Sequence, residues 1–307
     1  MKTSLGIIVK GLCMGAADVV PGVSGGTMAL ILGIYQRLLE AIRAFDATWL
    51  RLIGARRFRD AAEHVDILFL MPLGAGILGA ILFFTRVVSL PQLVREQPEQ
   101  IYALFFGLVI GSIVVLLRGL GAMRWRDAIF LLAGTLLGLV IVNVVPFETP
   151  SDSWFIFLSG ALAICAMILP GISGSFILLL LRKYEHVFDA IGHFDFGVIL
   201  PFALGAVSGL MLFSRLLVWL LKHHYRITLT TIVGMLVGSL WLLWPFQARS
   251  YDVVRGKQHL VYSSPVWPAD MGGGETLAGV LCVAGIATVF IIDMLARRRQ
   301  ASEHGLL

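Results

Sequence analysis

The 307-residue chain is 58% hydrophobic and only 14% charged, with 33 glycines and a formal net charge of +5. Soluble domains carry about 25% charged residues, so the composition excludes a soluble globular protein and points to an all-α polytopic membrane protein. The positive balance calls for no nucleic acid partner, because most of it falls in loops expected on the cytoplasmic side.

The chain opens on an apolar arm over residues 6–20, broken by Pro21-Gly22-Val23-Ser24-Gly25 and resumed over 26–44. Lys10 interrupts that arm and no small-residue cleavage site follows it, so it does not read as a removable leader. Apolar runs long enough to span a bilayer, roughly 17–25 residues, follow at 67–88, 101–117 and 128–146. The interrupted pattern then recurs. Residues 155–169 lead to Pro170-Gly171-Ile172-Ser173-Gly174, and 175–191 follow; spans come at 198–220, 228–246 and 276–295. Residues 247–275 are polar and rich in Pro, Gly and Ser, and read as a long periplasmic loop, either a plain connector or a lid.

The two interrupted segments are copies of each other. At an offset of 149 residues, Gly11 falls on Gly160, Pro21-Gly22 on Pro170-Gly171, Ser24-Gly25 on Ser173-Gly174, Tyr35 on Tyr184, and Phe45-Asp46 on Phe194-Asp195. The spans repeat as well: Phe84-Thr85-Arg86 matches Phe213-Ser214-Arg215, and Gly107 to Ser112 matches Gly234 to Ser239. Residues 1–150 and 151–307 are therefore expected to form two repeats, each with one hairpin and three spans.

Loop charge sets the expected orientation. Arg43, Arg51, Arg56, Arg57 and Arg59 follow the first hairpin, and Lys2 precedes it, so both of its ends should be cytoplasmic. Residues 6–44 then form a re-entrant hairpin with its tip inside the membrane. Counting on, Arg118, Arg124 and Arg126 fall inside, and the loop from Phe147 to Ser153, which has no Lys or Arg, falls outside. The second hairpin, 155–191, enters from the outside, and Arg297 to Arg299 return the C-terminus to the cytoplasm. Three spans per half is an odd number, so the halves have opposite orientations. Such inverted repeats are an architecture of secondary transporters, with the substrate site at the repeat interface. Two full crossings in place of each hairpin would leave the parity unchanged.

Each break carries chemistry. Proline removes a backbone donor and ends the first arm. Ser24 and Ser173 suit the N-cap of the arm that follows. Backbone groups left open at membrane depth are tolerated only inside protein or beside a watery cavity. The tips centred on Gly22, Ser24, Gly25, Gly26 and Thr27, and on Gly171, Ser173, Gly174 and Ser175, therefore read as halves of an anion site suited to phosphate. The competing reading is that Pro and Gly merely let helices pack closely. Arg86 and Arg215 read either as a phosphate clamp or as arginines snorkelling at helix ends. Asp18 has Met167 as its equivalent; it reads either as a proton or sodium relay or as a local cap. Tyr35 and Tyr184 read as interfacial anchors. Glu40 and Asp189, and Arg37 and His186, occupy equivalent positions at the hairpin exits.

Cys13, Cys165 and Cys282 lie in apolar runs without ligand spacing, and read as packing residues rather than disulfides or metal ligands; no cofactor is expected. Gly22-Val-Ser24-Gly25 and Gly171-Ile-Ser173-Gly174 spell the G-x-S-G of intramembrane serine hydrolases. A serine nucleophile needs a base, and all seven histidines lie in loops, tails or helix ends. An enzyme is therefore the third choice, behind a lipid-phosphate flippase and a transporter or channel for a small anion.

The opening KGLCMGAADVVPGVSGGTMALILGIYQRLLEAI and the second copy ILPGISGSFILLLLRKYEHV resemble the PopT-type undecaprenyl-phosphate translocases, over roughly residues 5–295. The resemblance implies return of a polyprenyl-phosphate carrier from the outer to the inner leaflet of the bacterial cytoplasmic membrane, where it is reused for peptidoglycan and other envelope polymers. The partners so implied are the lipid and the bilayer, and a homodimer is compatible with the sequence.

Overall fold

The computed structural model describes residues 2–20, 24–88, 93, 96–144, 149–254, 257–268 and 272–303. Its first element is α1 (Lys2–Asp18). The helix stops three residues before Pro21, where the residue preceding a proline is driven from helical geometry. Pro21, Gly22 and Val23 lie outside the described residues. Helix α2 (Gly25–Ile31) follows, only about 10 Å long at the usual rise per residue.

Two hydrogen bonds fix its direction. The Gly25 amide donates to Asp18 Oδ1 at 2.7 Å, and Lys10 Nζ donates to the Leu32 carbonyl at 2.9 Å. Going forward from Gly25 to Leu32 thus retraces α1 from Asp18 back to Lys10, and α2 folds back along α1. The later copy does the same. The chain enters α9 (Ser153–Ile168), breaks, and returns as α10 (Gly174–Leu180). Thr149 Oγ1 donates to the Leu181 carbonyl at 2.6 Å, while Lys183 Nζ donates to Thr149 O and Ser151 Oγ, each at 3.1 Å. Leu32 and Leu181 are equivalent positions, and in each copy a side chain from the entering side of the hairpin, Lys10 within α1 and Thr149 just before α9, clasps that carbonyl.

The sequence pattern suggested one continuous second arm over 26–44 and over 175–191. Each is in fact split. Gly33 (φ 67°) and Arg182 (φ 50°), again 149 residues apart, both adopt the left-handed conformation. Beyond them lie α3 (Tyr35–Arg43) and α11 (Tyr184–His193). A left-handed residue cannot continue a right-handed helix, so the arm must turn there.

The repeat closes on two N-caps. Asp46 Oδ1 accepts from the Thr48 and Trp49 amides at 2.9 and 3.0 Å and starts α4 (Ala47–Gly54). Asp195 Oδ1 accepts from Gly197 at 2.9 Å and starts α12 (Phe196–His223). The Trp49 amide bond, helped by His64 at 3.1 Å, holds the Asp46 carboxyl below its ordinary pKa. A depressed folded-state pKa stabilises above the unfolded value, about 3.9, and the gain is lost as pH falls through the folded value. Hydrogen exchange at Thr48 and Trp49 should therefore stay protected at neutral pH and open below about pH 4, and Asp46→Ala should open it at both.

After α5 (Phe58–His64) come α6 (Ile67–Arg86), α7 (Pro98–Gly119) and α8 (Trp125–Asn143). In the later part, α12 is followed by α13 (Tyr225–Leu243) and α14 (Gly273–Glu303). These six are long and apolar enough to cross a membrane, the last over Gly273–Leu295. They fall on the six spans expected from composition, so the protein is a multi-pass helical membrane protein.

The most extensive packing pairs α1 with α6, α9 with α12, α7 with α14 and α8 with α13. Exchanging the halves turns the first pair into the second and the third into the fourth. Glycines bring these backbones together, as is common among membrane helices. A methyl group on Gly11 would strike the Leu73 carbonyl, one on Gly160 the Phe202 carbonyl, one on Gly107 the Cys282 carbonyl, and one on Gly134 the Thr231 carbonyl. Arg226 ties the α8–α13 pair at one end: its guanidinium grips the Asp127 carboxylate (Nε to Oδ2, 2.8 Å) and donates to the carbonyls of Leu120 and Ala122.

Residues 247–275 are not a plain connector. Strands β1 (Gln247–Val254) and β2 (Lys257–Pro265) form an antiparallel hairpin in which Gln247 pairs with Pro265. Tyr251, Val253, Val254, Leu260, Val261 and Tyr262 are strand formers whose signal is masked by the polar residues between them.

Candidate functional site

The two breaks meet. Ser24 is buried; its hydroxyl accepts from the Gly26 amide at 3.1 Å, capping α2, and donates to the Met167 carbonyl at 3.2 Å. Thr27, also buried, accepts from the Gly171 amide through Oγ1 at 2.8 Å. These bonds span 143 and 144 residues of sequence and join the start of α2 to the end of α9 and the break beyond it. Gly26 allows the approach: a methyl group there would lie 2.8 Å from the Ile168 carbonyl and 3.0 Å from that of Met167. Gly171 is left-handed (φ 94°), and its position faces Ser239 and Leu236 of α13.

The tips are not equivalent in detail. At the first, the Asp18 carboxylate holds the Gly25 amide, and a methyl group on Gly25 would meet that carboxylate at 2.6 Å. The local-cap reading of Asp18 is thus visible in the geometry. At the second, Met167 replaces Asp18 and offers only its backbone carbonyl, which Ser24 uses. Ser173 occupies the N-cap of α10 but makes no capping bond; its hydroxyl pairs with that of the exposed Ser175 at 2.7 Å. Gly174 packs against the Ala163 carbonyl of its own hairpin. Gly22 lies outside the described residues. Neither Ser24 nor Ser173 is hydrogen-bonded to a histidine among the described residues.

Other expected residues fall elsewhere. Arg86 ends α6 and Arg215 lies in the last third of α12; both are exposed, and neither makes an ion pair or hydrogen bond to a tip among the described residues. Tyr35 is not an interfacial anchor. It is 3% exposed and its hydroxyl has no partner among the described residues. Tyr184 is half-buried against Phe188, with ring centroids 4.5 Å apart. Glu40 pairs with Lys222 at 3.1 Å, while Arg37 pairs with Asp66 at 2.7 Å and lies over the Phe69 ring, so both bind α3 to its neighbours. The three cysteines are free and half-buried. Sequence reasoning passed over Thr149 and Lys183 as hairpin clasps and Ser239 as the neighbour of Gly171. Only Lys10, a cation inside an apolar run, carried a visible signal.

Residues 14–260 match the VCA0040-like family, described as undecaprenyl phosphate translocase-like. The chain belongs to this family. It is 41% identical over 243 residues to a polyprenyl-phosphate transporter of Vibrio cholerae, covering 79% of this chain and 78% of that one. It is 33% identical over 258 residues to a polyprenyl-phosphate transporter of Staphylococcus aureus, covering 78% of this chain and 85% of that one. No solved structure matches it.

Proposed function

We propose that the protein carries polyprenyl phosphate across the cytoplasmic membrane, from the outer leaflet to the inner, without hydrolysing it. The observation that carries this reading is the junction of the two breaks, Ser24 to Met167 and Thr27 to Gly171. Residues 1–150 and 151–307 act as inverted repeats, and each hairpin enters from its own face and stops within the bilayer. Their tips then meet in a small polar region at membrane depth; when the junction opens, the hydroxyls of Ser24 and Thr27 and the amides of Gly25, Gly26 and Gly171 are released to a phosphate, beside the hydroxyls of Ser173 and Ser175. The exposed Arg86 and Arg215 receive the head group at the two leaflets, since guanidinium matches phosphate geometry. Asp18, the carboxylate at the junction, couples the cycle to protons or sodium. The names of the relatives supply the substrate class, and the loop charges supply both the direction of each repeat and the cytoplasmic placement of both termini.

Depleting the protein from cells should raise the amount of undecaprenyl phosphate exposed on the outer leaflet, and the wild-type chain should reverse this. Arg86→Ala combined with Arg215→Ala should restore it about tenfold less well, a difference of about 1.4 kcal/mol. An unchanged outer-leaflet pool would refute the carrier reading. Uptake of inorganic phosphate by proteoliposomes in the absence of any lipid effect would replace it with small-anion transport.

A further inference from the structure

The tips account for a phosphate but leave the long apolar chain of the substrate unplaced. A cavity of about 390 Å³ lies where α7, α8 and α13 converge with the end of β2. Its wall includes Phe106, Leu139, Leu240, Trp241, Trp244 and Trp267. Trp244 is the hub. Its ring packs edge-on to Phe106 at 5.5 Å and to Trp267 at 5.2 Å, and its Nε1 donates to the Val266 carbonyl at 3.0 Å. The Thr135 hydroxyl on the wall is spent on the Leu131 carbonyl at 2.8 Å. With these polar groups satisfied internally, the wall favours an apolar occupant. Trp241 and Trp267 are exposed, so the cavity opens to the surroundings of the protein.

Its position relates it to the tips. Gly171 faces Leu236 and Ser239 of α13, and the next residues of that helix, Val237 and Leu240, line the cavity. Tip and cavity therefore lie within one turn of each other on a single helix. By the loop-charge orientation, the end of α13 and the end of α8 face outward, so the cavity lies in the outer-leaflet half.

Resting on the transport reading above, we infer that this cavity seats the head-proximal isoprene units of the lipid while its phosphate reaches the tips. A volume in the range of small-molecule pockets holds only the first part of the chain and leaves the remainder in the bilayer through the open side. A flat, methyl-branched chain gains contact area from the aromatic walls, which do not reorganise on binding. The cavity thus sets chain preference, whereas the tips set head-group preference.

The test uses the full-length protein in nanodiscs and measures binding of undecaprenyl phosphate, geranyl phosphate and a dialkyl phosphatidic acid. Leu240→Phe and Leu139→Phe each fill the cavity from a different wall, and melting temperatures identify which variant is folded. The expected result is an affinity for undecaprenyl phosphate about tenfold lower in a folded variant, a change of about 1.4 kcal/mol. Geranyl phosphate, which is made only of head-proximal units, should weaken by a similar factor, and phosphatidic acid should compete poorly with the wild type. Undecaprenyl phosphate binding that both folded variants leave intact would overturn the cavity assignment while leaving transport standing. So would phosphatidic acid competing as well as the prenyl lipid, since the cavity would then be a general lipid crevice. Absence of undecaprenyl phosphate binding by the wild type would instead refute the transport reading itself.

Discussion

Thr27→Val should lower stability by about 1–3 kcal/mol, because it leaves a buried backbone donor at Gly171 without its acceptor. Thr27→Ser should keep most of that stability, since a hydroxyl remains within reach. Valine matches threonine in shape, so the first substitution isolates the hydrogen bond, whereas serine keeps the hydroxyl and gives up only a methyl group. Gly26→Ala attacks the same junction by another route. Its methyl group would press on two backbone carbonyls, Ile168 and Met167, neither of which can rotate away. Overpacking of this kind costs about 1–3 kcal/mol. Gly25→Ala is the contrast, since its methyl would meet only the end of the Asp18 side chain, which can swing aside. Melting in detergent and lipid translocation in proteoliposomes should be measured together. If the junction is where transport occurs, Thr27→Val and Gly26→Ala should abolish most translocation even at temperatures where both are folded. Full translocation by a folded Gly26→Ala protein would show that the junction only holds the fold together.

The long helices were legible because a bilayer span leaves no choice of composition: each of the six is an uninterrupted apolar run. The repeat was legible because the breaks use the same residue types at the same spacing. Three features were not. Gly33 signals a turn, but its equivalent Arg182 does not, since a left-handed arginine is favoured only by its surroundings; both second arms therefore looked continuous. The strands over 247–265 carry their apolar residues in short clusters, Val253-Val254 and Leu260-Val261-Tyr262, without the alternation that marks a strand, in a segment whose Pro, Gly and Ser content resembles a loop. The junction itself was hidden because half of it is backbone. Ser24 binds the carbonyl of Met167 and Thr27 binds the amide of Gly171, and neither group depends on side-chain identity. Pairing the breaks by sequence likeness suggested two equal tips, whereas the structure gives one a carboxylate cap and the other a pair of facing serines.

That inequality makes Asp18 the most informative residue to change. Its carboxylate accepts the Gly25 amide at 2.7 Å and thereby ties the end of α1 to the start of α2. An ionised carboxylate accepts such a bond roughly twice as strongly as a neutral group does. Proton or sodium binding at Asp18 would therefore loosen the first tip and couple an ion to the opening of the junction. Asp18→Asn keeps an oxygen acceptor of the same shape but cannot titrate. Its stability should stay within about 1 kcal/mol of wild type, while translocation should fall about tenfold and lose its response to an imposed proton or sodium gradient. Asp18→Ala also removes the cap, and should cost a further 0.5–2 kcal/mol or so of stability. The pair separates two roles that the geometry alone combines. Gradient-driven translocation that persists in the Asn variant and fails only in the Ala variant would make Asp18 a cap, and the coupling ion would have to act elsewhere.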